Sequence, residues 1–408
     1  MSLSIQVIDY ELGVIALSDS EIKFVLLLLA VSGFLTYLAL EKFRLARWRT
    51  SIPLRIAISG IRGKSSVVRM LASALRENGW NVLAKTTGSE AMYILPDGSE
   101  SRVRRCGVVS ILEQKSLLKK AASLGVDCLV AEVMSIHREN HFVESQRILK
   151  PTIVGITNVR PDHTNALGET EGQIAEALSL DIPEQAIVFI PENEIRPAFA
   201  AAVANKRGQL ISVPTGASMS IDLPDRIFSE NIDLVAAIAC HLDAPVPVIR
   251  QGILKTKYDR GQVAVWKYLS SGGRKMVYCA NGFAANEPKS TLQILRLVKG
   301  RLPQSMDKIV GLLSLRSDRA DRSDQWLRAL RETGPGFKRL YVIGAHAHIF
   351  RWNIDGAEIL RGKDPRQLTE TLISAVDSDS VIFGFGNFKG IGQALVEHWQ
   401  QNGEDYGL

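Results

Sequence analysis

The chain has 408 residues, of which 46% are hydrophobic and 23% charged, as expected of a folded protein with two or three domains. Its four cysteines are widely spaced and form no C-x-x-C pair, so neither a disulfide framework nor a structural zinc site is indicated, and a reducing compartment fits best. Most of the net charge of +6 comes from segment 41–55, where Lys42, Arg44, Arg47, Arg49 and Arg55 face one acid, Glu41. Because no basic surface interleaved with aromatic residues appears elsewhere, we expect no nucleic-acid binding.

Residues 24–40 form the first predicted element, an uncharged run rich in leucine. As a helix it would span about 26 Å, the short end of a bilayer crossing. Acidic residues precede the run and basic residues follow it, a pattern opposite to that of a cleaved signal peptide. We therefore predict a single-pass cell-membrane anchor at 24–40, an extracytoplasmic segment 1–23, a basic juxtamembrane linker 41–53 and a cytoplasmic location for the domains that follow. The alternative is a buried helix of a soluble protein.

Beyond the anchor, the pattern predicts strands that alternate with helices. The first series predicts strands at 54–59, 81–84, 128–132, 152–158 and 186–190, with helices at 65–77, 116–124 and 170–180. The second predicts strands at 276–280, 309–313, 340–344 and 381–385, with helices at 290–298, 323–331, 366–376 and 391–399. Such alternation indicates α/β domains with parallel sheets. We predict a large α/β domain at 54–258, a polar joint within 254–273, a smaller Rossmann-like domain at 259–408 and a cleft between them.

The loop Gly60-Ile61-Arg62-Gly63-Lys64-Ser65-Ser66 follows the first predicted strand and opens a helix. Glycines let the backbone curl around phosphate oxygens, a lysine neutralises the β- and γ-phosphates, and a hydroxyl binds Mg²⁺. The pattern departs from the usual phosphate loop, because Ile58 stands where the first glycine is expected. The loop therefore predicts that 54–258 is a P-loop-containing, parallel-sheet ATPase domain, with a plain glycine turn before a helix as the alternative. Arg62 is equally suited to a phosphate or to a substrate carboxylate.

The shortened G-x-x-G-K-S loop resembles that of murein ligases and folylpolyglutamate synthases. Other segments resemble motifs of the same families in the same order: 85–88 (KTTG), 131–135 (AEVMS), 157–163 (TNVRPDH) and the helix opened by Asn231. The resemblance implies that Glu132 and His163 hold Mg²⁺ and that Thr86 and Thr87 contact substrate. A capping or ion-pair role is the alternative for Glu132.

Within that superfamily, segments 281–286 (NGFAAN), 316–322 (RSDRADR) and 384–387 (GFGN) resemble the PgsB/CapB catalytic subunit of poly-γ-glutamate synthase. This resemblance implies an ATP-dependent, ADP-forming acid–amino-acid ligase. It also implies glutamate and the growing polymer as substrates and small membrane subunits as partners, and it leaves a homo-oligomer open.

These considerations predict one composite site. The expected catalytic residues are Lys64, Glu132 and His163, and the expected metal ligands are Ser65, Glu132 and His163. The expected ATP-binding residues are Gly60, Arg62, Gly63, Lys64, Ser65, Ser66, Asn231, Asn281, Asn286, Arg316 and Arg319. The expected substrate residues are Thr86, Thr87 and Arg322.

Three alternatives stay open at this point. The arginine cluster 316–322 could be a solvated charged loop rather than a phosphate site oriented by Asp318 and Asp321. The helix after His163 lacks the lysine that is carbamylated in murein ligases, so Glu169, Glu171 or Glu176 could supply a carboxylate instead. The whole chain could also be a membrane-anchored NTPase, a non-catalytic scaffold or a soluble ligase of the murein or folylpolyglutamate type.

Overall fold

The computed structural model describes residues 19–88, 91–105, 107–162, 164–216, 229–257, 263–269, 275–283, 285, 287–303, 308–333, 336–376 and 378–406. Its first element is helix α1 (Asp19–Thr50), which is long and apolar enough to cross a bilayer. The helix continues through most of the segment that we predicted as a linker. Leu45 is buried and Trp48 packs against the same core cluster, so the end of α1 belongs to the folded body.

The first sheet has eight strands in the order β4-β3-β2-β5-β1-β6-β7-β8. These are β1 (Leu54–Ser59), β2 (Val82–Thr86), β3 (Met92–Ile94), β4 (Glu100–Arg102), β5 (Cys128–Glu132), β6 (Ile153–Ile156), β7 (Ile187–Pro191) and β8 (Gln209–Val213). The prediction of parallel strands is confirmed for β1, β2, β5, β6 and β7. It missed the antiparallel strands β3 and β4, which are only three residues long and present no clear alternation.

Helices surround this sheet and bury apolar side chains against it or against one another. They are α2 (Lys64–Glu77), α3 (Glu113–Leu124), α4 (Arg138–Phe142), a π-helical turn (Val143–Leu149), α5 (Thr164–Leu167), α6 (Glu171–Ser179), α7 (Pro197–Asn205), α8 (Ser229–His241) and α9 (Val246–Leu254). In α2, the run from Val67 to Leu75 is buried between the sheet and helices α8 and α9.

Strand β1 lies in the middle of this sheet and sets the position of the loop that follows it. It pairs with β5 on one side, where Ile58 faces Glu132, and with β6 on the other, where Ser59 faces Ile156. Because all three strands are parallel, their carboxyl ends meet at one edge of the sheet. Residues that follow these strands therefore meet in space.

The second sheet has seven strands in the order β13-β12-β11-β14-β10-β9-β15. Its strands are β9 (Val265–Leu269), β10 (Met276–Asn281), β11 (Ile309–Leu315), β12 (Arg339–Gly344), β13 (Ala357–Ile359), β14 (Ser380–Gly386) and β15 (Glu404–Asp405). Its helices are α10 (Pro288–Arg301), α11 (Ala320–Thr333), α12 (Ala347–Asn353), α13 (Pro365–Ser374) and α14 (Ile391–Asn402).

The predicted α/β class is confirmed for this second body, but the predicted joint at 254–273 is partly wrong. Strand β9 lies inside it, between β10 and β15 and antiparallel to both, and this pairing buries Val265 and Trp266. The predicted domain boundary at 258–259 falls on residues outside the described part of the chain.

Candidate active-site cleft

A cleft of about 1010 Å³ opens at the carboxyl edge of the first sheet and is closed on its other side by the second body. The loop 60–66 and Glu132 line one wall, and Arg316, Arg319 and Asn387 line the other. The structure thus brings residues from both predicted domains to one cavity, as the sequence led us to expect.

Two glycines give the loop 60–66 its shape. Gly60 and Gly63 have φ values of 115° and 79°, in the region that favours glycine. A Cβ on Gly60 would come within 2.2 Å of Thr157 Oγ1, and one on Gly63 within 2.5 Å of Asn231 Oδ1. Helix α2 begins directly after Gly63, so the positive end of its dipole faces the cleft.

Lys64 is the first residue of α2 and lines the cleft. Its Nζ donates a 2.7 Å hydrogen bond to the carbonyl oxygen of Gly60. Burial lowers the pKa of Lys64 below its ordinary value, and the Glu132 carboxylate opposes that shift. The ammonium group is thus held inside the loop, where it can meet an anion.

Glu132 ends strand β5 and is only 4% exposed. Its Oε2 accepts hydrogen bonds from Ser65 Oγ at 2.8 Å and from the amide of Thr87 at 2.7 Å. Three predicted site residues are therefore joined at one carboxylate oxygen, and all three line the cleft. Among the described residues, no group of three His, Cys, Asp or Glu side chains could hold a metal without help from a ligand.

Some predicted contacts lie just behind the cleft wall. Thr86 is buried one residue before Thr87, and Asn231 is buried against Gly63. Neither side chain is part of the cleft lining. Asn231 therefore supports the shape of the loop rather than bordering the cavity.

Asn281 was predicted to reach the nucleotide from the second body, but it does not line the cleft. It is 1% exposed, and its Oδ1 accepts a hydrogen bond from the Phe283 amide at 3.2 Å. The side chain thus turns back on its own loop at the end of β10, as asparagine often does. Asn286 and His163, also predicted for the site, lie outside the described residues.

The predicted arginine cluster meets Asp162 from the opposite domain. Arg322 donates to Asp162 at 3.2 Å and Arg319 does so at 3.2 Å, while Arg62 from the loop donates at 2.7 Å. Arg322 and Asp162 are each 6% exposed, so the alternative of a solvated charged loop is wrong for them. Burial lowers the pKa of Arg322 to about 10, against the attraction of Asp162.

Two acids within the cluster pair with its arginines, of which Arg316 is the most exposed. Arg316 pairs with Asp318 at 2.8 Å, and Asp321 pairs with Arg319, so both acids orient the arginines as expected. The contact between Asp162 and Arg322 joins the two bodies across the cleft, and Asn387 also accepts from Arg322 at 2.9 Å.

The glutamates considered as replacements for a carbamylated lysine do not line the cleft. Glu171 pairs with Arg196 at 2.8 Å and Glu176 with Arg138 at 3.6 Å, and Glu169 is exposed. All three are surface charges, as expected for polar positions of an amphipathic helix.

Sequence reasoning missed a buried pair at the floor of the cleft. Nδ1 of His141 lies 2.9 Å from Oδ2 of Asp181, which is 0% exposed and also accepts from Ser59 and Ser145. His141 lines the cleft, and its Nε2 is buried without a hydrogen-bond partner among the described residues. The one available signal was a lone carboxylate in the apolar run 177–183 (ALSLDIP).

Comparison with known proteins agrees with this geometry. Residues 266–402 match the family described as poly-γ-glutamate synthase CapB C-terminal domain, and residues 58–234 match the Mur ligase middle domain. The chain is 27% identical to a capsule biosynthesis protein CapB of Bacillus anthracis, over 85% of this chain and 76% of that protein. It is also 27% identical to the PGA synthase CapB of Bacillus subtilis (strain 168), over 91% of this chain and 96% of that protein.

Solved structures show the same fold. FolC of E. coli in complex with DHPP and ADP has a TM-score of 0.63 at 14% identity, covering 88% of this chain and 91% of that one. A bifunctional folylpolyglutamate synthase/dihydrofolate synthase with Mn, AMPPNP and L-glutamate bound has a TM-score of 0.61 at 15% identity, covering 88% and 93%. The Mur-ligase-like α/β fold and the resemblance to CapB proteins are thereby confirmed.

Proposed function

We propose that this relative of the CapB proteins, with their Mur ligase middle domain and C-terminal domain, is an ATP-dependent amide ligase that makes poly-γ-glutamate. Its related proteins are ligases of this class, which confirms the enzyme class predicted from the sequence. The observation that carries the proposal is the junction of Ser65 and Thr87 at the Glu132 carboxylate, beside Lys64.

The cleft suits a nucleoside triphosphate with a divalent cation. Backbone amides at the start of α2 and the Lys64 ammonium would hold phosphate oxygens. Ser65 Oγ and Glu132 Oε2 are hard oxygen donors that face the same point, and Mg²⁺ commonly takes one or two such protein ligands together with substrate phosphates. When bound, the cation neutralises charge on the phosphates. We propose that Mg²⁺ binds beside Ser65 and Glu132 and that His163 is a further ligand.

The reaction then follows from positioned charges. A carboxylate oxygen of the polymer end or of glutamate attacks the γ-phosphorus of ATP, ADP leaves, and an acyl-phosphate forms. Lys64 stabilises the charge that develops on the transferred phosphoryl group. The amine of the second substrate then attacks the acyl carbon, phosphate leaves and the amine loses a proton as the amide forms.

The link between the bodies protects the intermediate. Asp162 holds Arg319 and Arg322 of the second body against the wall of the cleft, and Arg62 completes the contact. A closed cleft keeps water from the acyl-phosphate, which otherwise hydrolyses. We propose that these arginines also neutralise the phosphates or substrate carboxylates that enter beside them.

His141 is suited to the proton transfer of the second step. Asp181 fixes its Nδ1, the residue lines the cleft, and its Nε2 is buried without a hydrogen-bond partner among the described residues. A histidine oriented in this way can accept a proton from an attacking amine. We propose this role for His141, with Asp181 as the residue that positions it.

Cell location follows from α1. With basic residues after the apolar stretch, we propose that the amino terminus lies outside the cell membrane and the ligase body in the cytoplasm. Small membrane subunits would complete the synthase, and self-association stays open.

One assay distinguishes the proposed ligase from a transport-type NTPase, a function that the similarity to CapB proteins does not favour. ATP hydrolysis by the purified full chain, within its membrane complex, is measured with L-glutamate, with D-glutamate and without amino acid. The ligase should form ADP and polymer only with an amino acid, and Lys64→Ala should abolish both while the protein stays folded. Hydrolysis at the same rate without amino acid would contradict the proposal.

A further inference from the structure

A short apolar loop stands out on the surface of the first body. Residues 107–112, which we name the mouth loop, include Val108, Val109 and Leu112, which are 96%, 59% and 54% exposed. Single exposed apolar residues are ordinary, but three within six positions form a patch that a soluble surface seldom carries.

The mouth loop is followed by α3, whose first turn lies next to the part of α1 that leaves the folded body. The Lys115 ammonium in the first turn of α3 lies 2.6 Å from Oε1 of Glu41. Lys115 and Ser116 also share a small cavity with Tyr37 and Leu40 of α1. The patch is therefore next to the end of the apolar stretch that is long enough to cross a membrane.

Ion pairs fix the loop to the body at its two ends. Arg105, just before it, pairs with Glu113, just after it, at 2.7 Å. Glu113 also pairs at 3.1 Å with Lys85, whose side chain is fully buried. These ion pairs hold both ends of the mouth loop on the first body. The position of its apolar side chains relative to α1 is therefore fixed.

The charge around the patch suits one kind of partner. Arg104 and Arg105 are exposed beside the loop, and Lys42, Arg44 and Arg47 are exposed on α1 just past Glu41. Apolar side chains bordered by basic ones bind at the boundary between acyl chains and anionic headgroups.

We propose that the mouth loop is a second membrane contact, which places Val108, Val109 and Leu112 in the lipid surface while Arg104 beside the loop and the basic residues of α1 meet anionic headgroups. Val109 and Arg105 also line the active-site cleft. The contact therefore turns the mouth of the cleft toward the bilayer, so that a polymer leaving it emerges at the membrane. The lipid contact rests on the membrane insertion of α1 and is independent of the proposed ligase activity.

Photo-crosslinking tests the contact in the full chain. A benzophenone amino acid replaces Val108 in one variant and Leu269, 61% exposed in the second body, in the control. Both proteins are placed in vesicles of phosphatidylcholine and phosphatidylglycerol without ATP or glutamate, irradiated and analysed for lipid adducts. We expect at least about tenfold more lipid adduct at position 108 than at position 269.

Benzophenone is apolar and could itself draw the loop into lipid, so a second experiment keeps the crosslinker at one position and changes the loop. With the benzophenone at position 112, Val108→Asp and Val109→Asp together should reduce the lipid adduct several-fold, whereas Leu269→Asp should not. Equal lipid adducts at 108 and 269 would overturn the proposal. Adducts at 108 only with protein, either a second copy or another chain, would overturn it as well, because they would make the patch a protein interface.

Discussion

The Ser65 hydroxyl donates a 2.8 Å hydrogen bond to Oε2 of Glu132, although the two residues are 67 positions apart in the sequence. They meet because β1 and β5 are parallel neighbours with Ile58 opposite Glu132, so the helix after β1 starts beside the end of β5. The sheet therefore builds a site with two oxygen donors from two distant segments.

Replacing Glu132 by glutamine should remove the negative charge at this point but keep the shape of the side chain. We expect ligase kcat to fall at least about 100-fold, because a cation would lose its anionic ligand. Activity should be measured over a range of Mg²⁺ concentrations, and thermal unfolding should confirm the fold. Glu176→Gln, at an exposed glutamate of α6, is the control and should leave activity unchanged. Equal activity of both variants would contradict the metal assignment.

Breaking the link between the bodies should separate ATP hydrolysis from amide formation. Asp162→Ala leaves Arg322 buried without its carboxylate and should lower the free energy of unfolding by about 3 kcal/mol. It should also raise hydrolysis of ATP per amide bond formed, because water reaches the acyl-phosphate. The ratio of ADP to polymerised glutamate measures this effect.

Asp318→Asn provides the comparison for that variant. Its carboxylate is 60% exposed and pairs with Arg316 inside one loop, so its loss should cost less than about 1 kcal/mol. A ratio of ADP to amide that is unchanged in Asp162→Ala would show that the link does not protect the intermediate.

His141→Asn should lower kcat for amide formation by about 100-fold, within the range that general-base catalysis contributes, with little change in the KM for ATP. Asp181→Asn should cause a smaller loss and alter the pH profile of kcat, because it changes the partner that orients the ring. His137→Asn, four residues earlier and exposed, is the matched control. If His141→Asn is fully active, the pair has only a structural role.

The orientation of α1 can be measured in intact cells. A membrane-impermeant thiol reagent should label Ile5→Cys and spare Thr50→Cys, because basic residues after the apolar stretch remain on the cytoplasmic side. Thr50 is the exposed last residue of α1, so permeabilised cells should show labelling at both positions. Labelling of position 50 alone in intact cells would reverse the topology.

The α/β pattern was predictable because the strands of both sheets are short apolar runs between amphipathic helices. Strands such as β1 and β5 have the bounds expected from their residues. Strand β9 was missed because it lies inside a polar, glycine-containing stretch, and only Val265 and Trp266 of its five residues are buried. The continuation of α1 to Thr50 was missed because basic residues are good helix formers that also suit a linker.

The loop 60–66 was predictable from its own residues, because glycines and a lysine before a helix define its shape and charge, whereas Glu132 was expected only because its segment resembles a motif of murein ligases. The pair of His141 and Asp181 was not, since the residues are 40 positions apart and meet only through packing under the first sheet. Asn281 was also placed by its motif, and in the structure its side chain accepts a hydrogen bond from a local amide, a contact that the motif did not indicate.

Trapping with hydroxylamine tests the central claim most directly. The complete membrane complex is supplied with ATP, Mg²⁺, glutamate or its polymer, and hydroxylamine, a nucleophile that attacks an acyl-phosphate without needing the amine site. We expect a hydroxamate together with ADP, and its loss in Lys64→Ala and Glu132→Gln. Hydroxamate with AMP and pyrophosphate would mean an acyl-adenylate instead, and active ATP hydrolysis with no hydroxamate would contradict the carboxylate activation on which this account depends.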